Sequence, residues 1–229
     1  MKSLAIIPAR GGSKRIPRKN IKDFLGKPII AYSIEAALES GLFDEVMVST
    51  DDKEIAEIAI KYGAKVPFVR SEENANDFAT TYDVIKEVLS YYRKNNIVFD
   101  QACCIYPCAP FVSAEKLKEA HLKLQQFDTV FPVVKYGFPI QRALTKDENG
   151  KLEFFQPEFE LSRSQDLISS YHDAGQFYWF DIEAFDKNKA LMSKKTGAVV
   201  LSEMEVQDID NEIDWKLAEL KYKLQHEIS

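Results

Sequence analysis

Cysteine is scarce in this 229-residue chain, with three in all, Cys103, Cys104 and Cys108, inside six residues. Cys103 and Cys104 adjoin in an apolar run that reads as a strand, so their side chains point to opposite faces, and no nearby His completes a zinc set. Reduced thiols in or near the core are expected, not a disulfide framework or a metal site. Long apolar runs are missing too: none approaches the roughly 20 residues that a membrane-spanning helix needs. The apolar stretch Leu4 to Ile7 meets Pro8 and then a cationic loop, which is too short for the about 7 to 15 apolar residues of a secretory signal. A cytoplasmic protein with no membrane partner is the expectation. Repeats, low-complexity tracts and linker-like stretches are also absent, and a single domain over 1–229 is expected.

Positive charge is short overall, since the chain carries a formal net charge of −6. Its distribution is uneven. Residues 1–27 hold eight Lys or Arg against the single Asp23, a net +7, which leaves −13 on the remainder. A nucleic-acid partner is excluded by that remainder, which would repel a phosphate backbone and adds no second basic surface.

What is present is an alternation of apolar runs, bounded by turn residues, with stretches of helical periodicity. That pattern is the signature of repeated βαβ units and a mostly parallel, doubly wound α/β sheet. Strands are expected at Ser3 to Ile7, Glu45 to Ser49, Gln101 to Tyr106, Thr129 to Val134 and Gln176 to Phe180. Helices are expected at Pro28 to Glu39 with Gly41 just beyond, Asp52 to Tyr62 closed by Gly63, Thr81 to Lys94, Ser113 to Gln126 and Glu212 to Glu227. The segment 135–171 breaks the rhythm. It is aromatic-rich, carries the turn Asp147, Glu148, Asn149, Gly150, and alternates like short strands, so a small β-rich insertion is expected that covers the site or makes a subunit contact.

The concentrated charge lies directly behind the first strand, in IPARGGSKRIPRKN. The carboxyl end of a parallel strand is where open α/β sheets bind ligands. Gly11 and Gly12 would let the backbone approach a ligand with N–H groups outward, while Arg10, Lys14 and Lys19 would surround an anion. The loop thus reads as a polyphosphate cradle, although GGSKRI has neither the GK[ST] ending of a P-loop nor the third glycine of a dinucleotide fingerprint. A solvated basic loop is the plain alternative.

A second constellation is DIDNE at 208–212. In an extended segment Asp208 and Asp210 are i and i+2, which puts both carboxylates on one side, a pair suited to Mg²⁺ with water and phosphate oxygens completing its shell. The alternative is that the acids cap the following helix. In DAGQFYWF at 173–180, Asp173 and Gln176 are candidates for contact with a polar ligand, whereas His172 before them reads as structural.

The opening IPARGGSKRIPRKNI, with VSTDD at 48–52 and DIDNEIDW at 208–215, resembles the cytidylyltransferases that activate nine-carbon keto-sugar acids, the CMP-sialic acid synthetase family. Within it, CCIYPCAPF at 103–111 and DAGQFYWF look most like the branch that makes CMP-pseudaminic acid. The resemblance implies a Rossmann-like nucleotidyltransferase fold, Mg²⁺ as cofactor, a homodimer, and a reaction of CTP with a sugar acid to give CMP-sugar and pyrophosphate. It implies that Arg10, Ser13, Lys14 and Lys19 bind phosphate, with Ala9, Gly11 and Gly12 in the same substrate loop and Asn20 beside the nucleotide. Arg70 would lie near the cytosine, Thr81 beside the ribose, and Asp208 and Asp210 at the metal, with Arg10, Lys14, Lys19 and Asp210 as the catalytic groups. Sialic acid enzymes commonly carry Gln where this chain has Tyr106 before Pro107, so Tyr106 becomes a substrate contact of a different kind. Sialic, legionaminic and keto-deoxyoctulosonic acids are the alternative acceptors. The eight-carbon branch is disfavoured because its loop usually ends in LPGKPL, where this chain reads IPRKNIKDFLGKPI. A nucleotide-binding regulator without turnover would be expected to lack Lys19 or the late acids, and all are present.

Overall fold

A computed structural model describes residues 1–13 and 15–227. Lys14, expected in the phosphate loop, lies outside the described residues. The frame is a seven-stranded sheet built from β1 (Ser3–Pro8), β4 (Glu45–Ser49), β5 (Gln101–Ile105), β6 (Thr129–Lys135), β9 (Tyr171–Asp173), β10 (Phe177–Asp181) and β11 (Thr196–Leu201). Two short ribbons stand apart from it, β2 (Asp23–Phe24) with β3 (Lys27–Pro28), and β7 (Leu144–Lys146) with β8 (Leu152–Phe154). The order across the sheet is β11-β6-β10-β5-β1-β4, with β9 on β6.

Strands β4, β1, β5, β6 and β11 point the same way, while β10 runs antiparallel between β5 and β6. The sheet is therefore mixed. The antiparallel β9 and β10 pair with successive parts of β6, with the turn 174–176 between them. Strand β11 was not among the expected strands, because Gly197 and the exposed Val200 dilute its pattern.

Helices cover both faces, as double winding requires. Helices α1 (Ile29–Ser40), α2 (Lys53–Lys61) and α5 (Ala114–Lys123) bury Ile30, Ile34, Ile55 and Leu117 against the side of β1 that presents Ala5 and Ile7. Helices α4 (Thr81–Lys94) and α6 (Ile182–Asn188) bury Ile85, Val88 and Phe185 against the side that presents Leu4 and Ile6. Cys103 and Cys104 fall on these two opposite faces, both fully buried and both free thiols. Each fully buried Ile or Leu contributes about 1.5–3 kcal/mol relative to exposure, and the alternation along β1 locks its register.

The expected helix limits shift by a few residues, and caps explain where. Pro28 precedes α1 as its cap in extended conformation, and Gly41 closes the helix in the left-handed region at φ 64°. Asp52 caps α2 by accepting from the Ile55 N–H, and Thr80 forms a capping box with Asp83 at the start of α4. A short α3 spans Glu72–Ala75. The last helix, α7 (Glu212–His226), starts from a capping box of Asn211 and Asp214. A third apolar cluster joins α7 to the basic loop: Ile16, Phe24, Ile209 and Trp215 pack together, and Phe24 meets Trp215 edge-on at 5.6 Å.

The segment 136–170 contains one hairpin, β7 with β8, whose turn is tied by Asp147 accepting from the Asn149 and Lys151 N–H groups. The rest is irregular chain with 3-10 turns at Ile140–Arg142, Pro157–Phe159 and Ser164–Asp166. Aromatic content raised the expectation of strand there, but most of those side chains have no sheet to join. Phe138, Leu161 and Ile168 are between 83% and 93% exposed.

Candidate active site

The carboxyl edge of the parallel strands carries a cleft of three adjoining cavities. The central one, about 430 Å³, lies between the basic loop and the segment 207–209, with Arg10, Ser13, Lys19, Asn20 and Asp208 in its wall. A second, about 250 Å³, continues past Tyr106 to Arg70 and Thr81. A third, about 510 Å³, lies on the other side, beside Lys135, His172 and Asp173, and shares Gln207 and Asp208 with the centre. Arg10 and Tyr106 border both of the first two cavities.

The basic loop is held by its own charges. Arg18 sits in the left-handed region at φ 56° and its guanidinium binds Asp52 and Glu54 at the start of α2. That contact holds the Asp52 carboxyl below the usual carboxylate range. Gly11 departs from expectation. Its N–H does not face a ligand but donates to Asp51 Oδ1 at 3.0 Å, and a Cβ there would stand 2.8 Å from Asp52 Oδ2. Glycine is needed at 11 for packing against these two acids, whereas Gly12 faces open space and keeps the expected freedom. Ala9 also departs: it is buried, and its N–H extends the sheet by donating to the Ser49 carbonyl at 2.9 Å. Asn20, though in the cavity wall, acts as a strut, donating to the Arg10 carbonyl at 2.8 Å and accepting from the Cys108 thiol at 3.1 Å. Burial pushes that thiol up to about 12, so it is a neutral donor at physiological pH.

Two cations bridge the loop to the acidic segment. Lys19 Nζ donates to the Ile209 carbonyl at 2.7 Å, and Arg15 meets Asp210 Oδ2 at 2.7 Å. Ile209, packed in the third cluster at 2% exposed, turns inward between two acids, so Asp208 and Asp210 share the outward side as expected of an extended pair. Among the described residues no group of three or more His, Cys, Asp or Glu side chains could hold a metal. The donor set present still fits Mg²⁺, a hard ion that takes one or two carboxylates and fills its octahedron with water and phosphate oxygens.

In the second cavity, Arg70 is buried and donates through Nε to Ser49 Oγ at 3.0 Å and through Nη2 to the Ser49 carbonyl. Burial draws it down to about 10, so the group stays cationic at neutral pH. Arg10 donates to Asp77 at 2.7 Å. Thr81 Oγ1 lies 3.3 Å from the Tyr106 hydroxyl.

In the third cavity, Asp173 accepts from the Gly175 N–H and from the Tyr178 hydroxyl, both at 2.8 Å. Gln176 does not reach a cavity: it is 3% exposed, and its amide donates to the Glu205 carbonyl at 2.6 Å. It braces the chain that leads to Asp208 from beneath, which corrects the expectation of a ligand contact. His172 is exposed and stands edge-on to Tyr136 at 5.0 Å. Sequence reasoning passed over Arg15, Gln207 and Cys108, which line the central cavity, and the bond of Tyr178 to Asp173. Only Arg15 left a signal, as a further cation in the loop.

Comparison with known proteins agrees with this architecture. The family described as Cytidylyltransferase matches residues 4–216. The pseudaminic acid cytidylyltransferase of Campylobacter jejuni is 45% identical over 229 residues, covering 99% of each chain. The CMP-N,N'-diacetyllegionaminic acid synthase of Legionella pneumophila is 34% identical over 232 residues, again 99% of each. Among solved structures, a CMP:2-keto-3-deoxy-manno-octonic acid synthetase complexed with CTP superposes with a TM-score of 0.70 at 17% identity, over 99% of this chain and 100% of that one, a likeness of fold. With a family match over nearly the whole chain and full-length relatives at 34–45% identity, the chain belongs to the cytidylyltransferase family.

Proposed function

We propose that the protein transfers CMP from CTP to the anomeric hydroxyl of a nine-carbon keto-sugar acid, pseudaminic acid, and releases pyrophosphate. The 45% identity to the pseudaminic acid enzyme along both full lengths supports this acceptor over the legionaminic acid of the 34% relative. The observation that carries the chemistry is the single cleft in which loop cations face Asp208, with Asp210 held beside it by Arg15, and with Arg70 and Thr81 at one end and Asp173 at the other.

In this reading the cytosine and ribose occupy the cavity of Arg70 and Thr81, and the triphosphate lies along Arg10, Ser13 and Lys19, with Lys14 joining them. The sugar acid fills the third cavity, beside Asp173. Its hydroxyl attacks the α-phosphorus and gives up its proton to water, the bond to the β-phosphate oxygen breaks, and pyrophosphate leaves with that electron pair. Negative charge spreads over the phosphoryl oxygens, so the chain's task is to position both substrates and stabilise that charge. Lys19, anchored to the Ile209 carbonyl, ties the phosphate loop to the acids, so cation and carboxylates keep a fixed spacing. Asp208 and Asp210 would hold Mg²⁺, which when bound neutralises phosphate charge.

A homodimer belongs to the same proposal. The exposed Phe138, Leu161 and Ile168 lie on one irregular segment, and a second copy of the chain is the partner that covers them. No described helix is long and apolar enough to cross a membrane, and we assign the activity to the cytoplasm, where CTP is available. The test is pyrophosphate release with CTP, Mg²⁺ and a panel of nine- and eight-carbon keto-sugar acids, with ATP, GTP and UTP as controls. Release with pseudaminic acid alone is expected. Release with another acid would overturn the acceptor, and silence across the panel would overturn the enzyme reading.

A further inference from the structure

The segment that leads to Asp208 is held by side chains from elsewhere in the fold. Four successive carbonyls, those of Glu203, Met204, Glu205 and Val206, each accept a hydrogen bond from such a side chain. Gln176 donates to Glu205 at 2.6 Å, and α7 supplies the other three bonds. Gln225 Nε2 reaches the Met204 carbonyl at 2.9 Å, and Lys221 Nζ reaches both the Glu203 and the Val206 carbonyls at 2.9 Å. Lys221 also borders the third cavity, together with Lys135, His172, Asp173 and Asp208. The reaction scheme gives it no task.

A lysine ammonium has three protons to donate and accepts nothing. The two carbonyls take two of them, which pins the nitrogen, and the third is left for a ligand in the cavity that Lys221 borders. Both fixed partners are neutral. Burial lowers Lys221 below the ordinary lysine value, and the nearby Glu203 carboxylate offsets this only in part. A cation that has lost water and is not fully compensated gains from an anion. Lys135 borders the cavity too, but it is exposed, and an exposed lysine gives up more side-chain freedom when a ligand orders it.

In a keto-sugar acid the carboxylate is bonded to the anomeric carbon, the same carbon that carries the attacking hydroxyl. A grip on the carboxylate therefore aims the nucleophile. Lys221 is tied to the backbone at Val206, two residues before Asp208, so a carboxylate held there keeps its hydroxyl at a set place relative to that acid.

We propose that Lys221 binds the carboxylate of the acceptor with its remaining proton and its charge, and so selects sugar acids over neutral sugars while aiming the anomeric hydroxyl. The inference rests on the reading of the third cavity as the acceptor site.

Pyrophosphate release at saturating CTP and Mg²⁺ gives the KM of pseudaminic acid, and competition in the same assay gives the affinity of its methyl ester, which keeps the ring and lacks the charge. Wild-type protein is expected to favour the acid by about tenfold or more, the size of one hydrogen bond between charged groups. In Lys221→Gln, which keeps an amide donor for the carbonyls, that preference is expected to fall below about threefold, while CTP affinity by calorimetry stays within about twofold. Lys221→Arg keeps the charge and is expected to retain most of the preference, and Lys135→Gln all of it. Where turnover is too low to assay, calorimetric titration of acid and ester into the CTP-loaded variant reads the same ratio. A role confined to bracing the segment weakens acid and ester alike, so a wild-type ratio in Lys221→Gln would overturn the assignment. Loss of the ratio in Lys135→Gln alone would overturn it too. Silence of the wild-type protein with the acid would overturn the acceptor reading and the assignment with it, an outcome distinct from turnover with an unchanged ratio.

Discussion

The basic loop and the wall of Tyr106, backed by Tyr178, border the same cleft and are built on opposite principles. In the loop, Arg10 and Arg15 have side chains 35% and 70% exposed and pair with Asp77 and Asp210 within reach of water. Such pairs are worth about 0–1 kcal/mol, so a triphosphate or a metal ion can exchange them at little cost. In the wall, Tyr178 is 6% exposed, and removing a partner there leaves a buried polar group that costs about 1–3 kcal/mol. The loop is held by exposed ion pairs, and the wall by a buried phenol whose partner, Asp173, is itself exposed.

That contrast can be broken most sharply at the acids. Asp210→Ala is expected to lower turnover by about 10²–10³-fold while CTP binding changes by only a few-fold, since the residue lies in no core cluster. Pyrophosphate release and calorimetry on one preparation check it, and wild-type turnover under Mg²⁺ titration would sink the assignment. Lys19→Ala is next, with CTP affinity falling about 10- to 100-fold and CMP affinity much less. Equal losses for the two nucleotides would contradict a role at the outer phosphates.

Thermal unfolding then separates the two regions directly. Tyr178→Phe is expected to cost about 1 kcal/mol, or about 2–4 °C for a chain of this size, whereas Arg15→Ala should stay within about 0.5 kcal/mol. Comparable losses would erase the distinction between exchangeable and fixed contacts. The smallest effect concerns acid. Arg18 holds Asp52 ionised below the usual carboxylate range, so the folded form binds its proton later than the unfolded chain. The stability this gives is present above about pH 4 and is lost as the pH falls through the depressed value. Arg18→Gln should therefore lose less stability than wild type between pH 5 and pH 3 in urea titrations. Parallel pH curves for the two proteins would remove the Arg18 link.

The loop and the acids were legible in the sequence because their chemistry is local. Charges within ten residues declare a basic loop, whose Arg10, Ser13 and Lys19 line the central cavity, and Asp208 and Asp210 declare a shared side through spacing alone. The parallel strands β1, β4, β5 and β6 were legible for the same reason, as continuous apolar runs. What escaped depends on contacts between segments far apart in the chain. Gln176 looks like a ligand contact until Glu205 is seen to take its amide, and Gly11 looks like an outward donor until Asp51 is seen beside it. The direction of β10 is not written in FYWFD, since an antiparallel strand buried on both faces has the same composition as a parallel one. The segment 136–170 misled because aromatic content signals burial, and here Phe138 and Phe155 stay exposed.

The reversed course of β10 sets how this scaffold can change. A strand that enters the middle of the sheet backwards starts where its neighbour β5 ends, Phe177 opposite Ile105, and so places the turn 174–176 beside the cavities that Gly175 and Ala174 line. That turn has little room for added or deleted residues: Ala174 and Gln176 are buried in it, and the Gln176 amide holds the Glu205 carbonyl, so one short joint ties β10 to the segment that leads to Asp208.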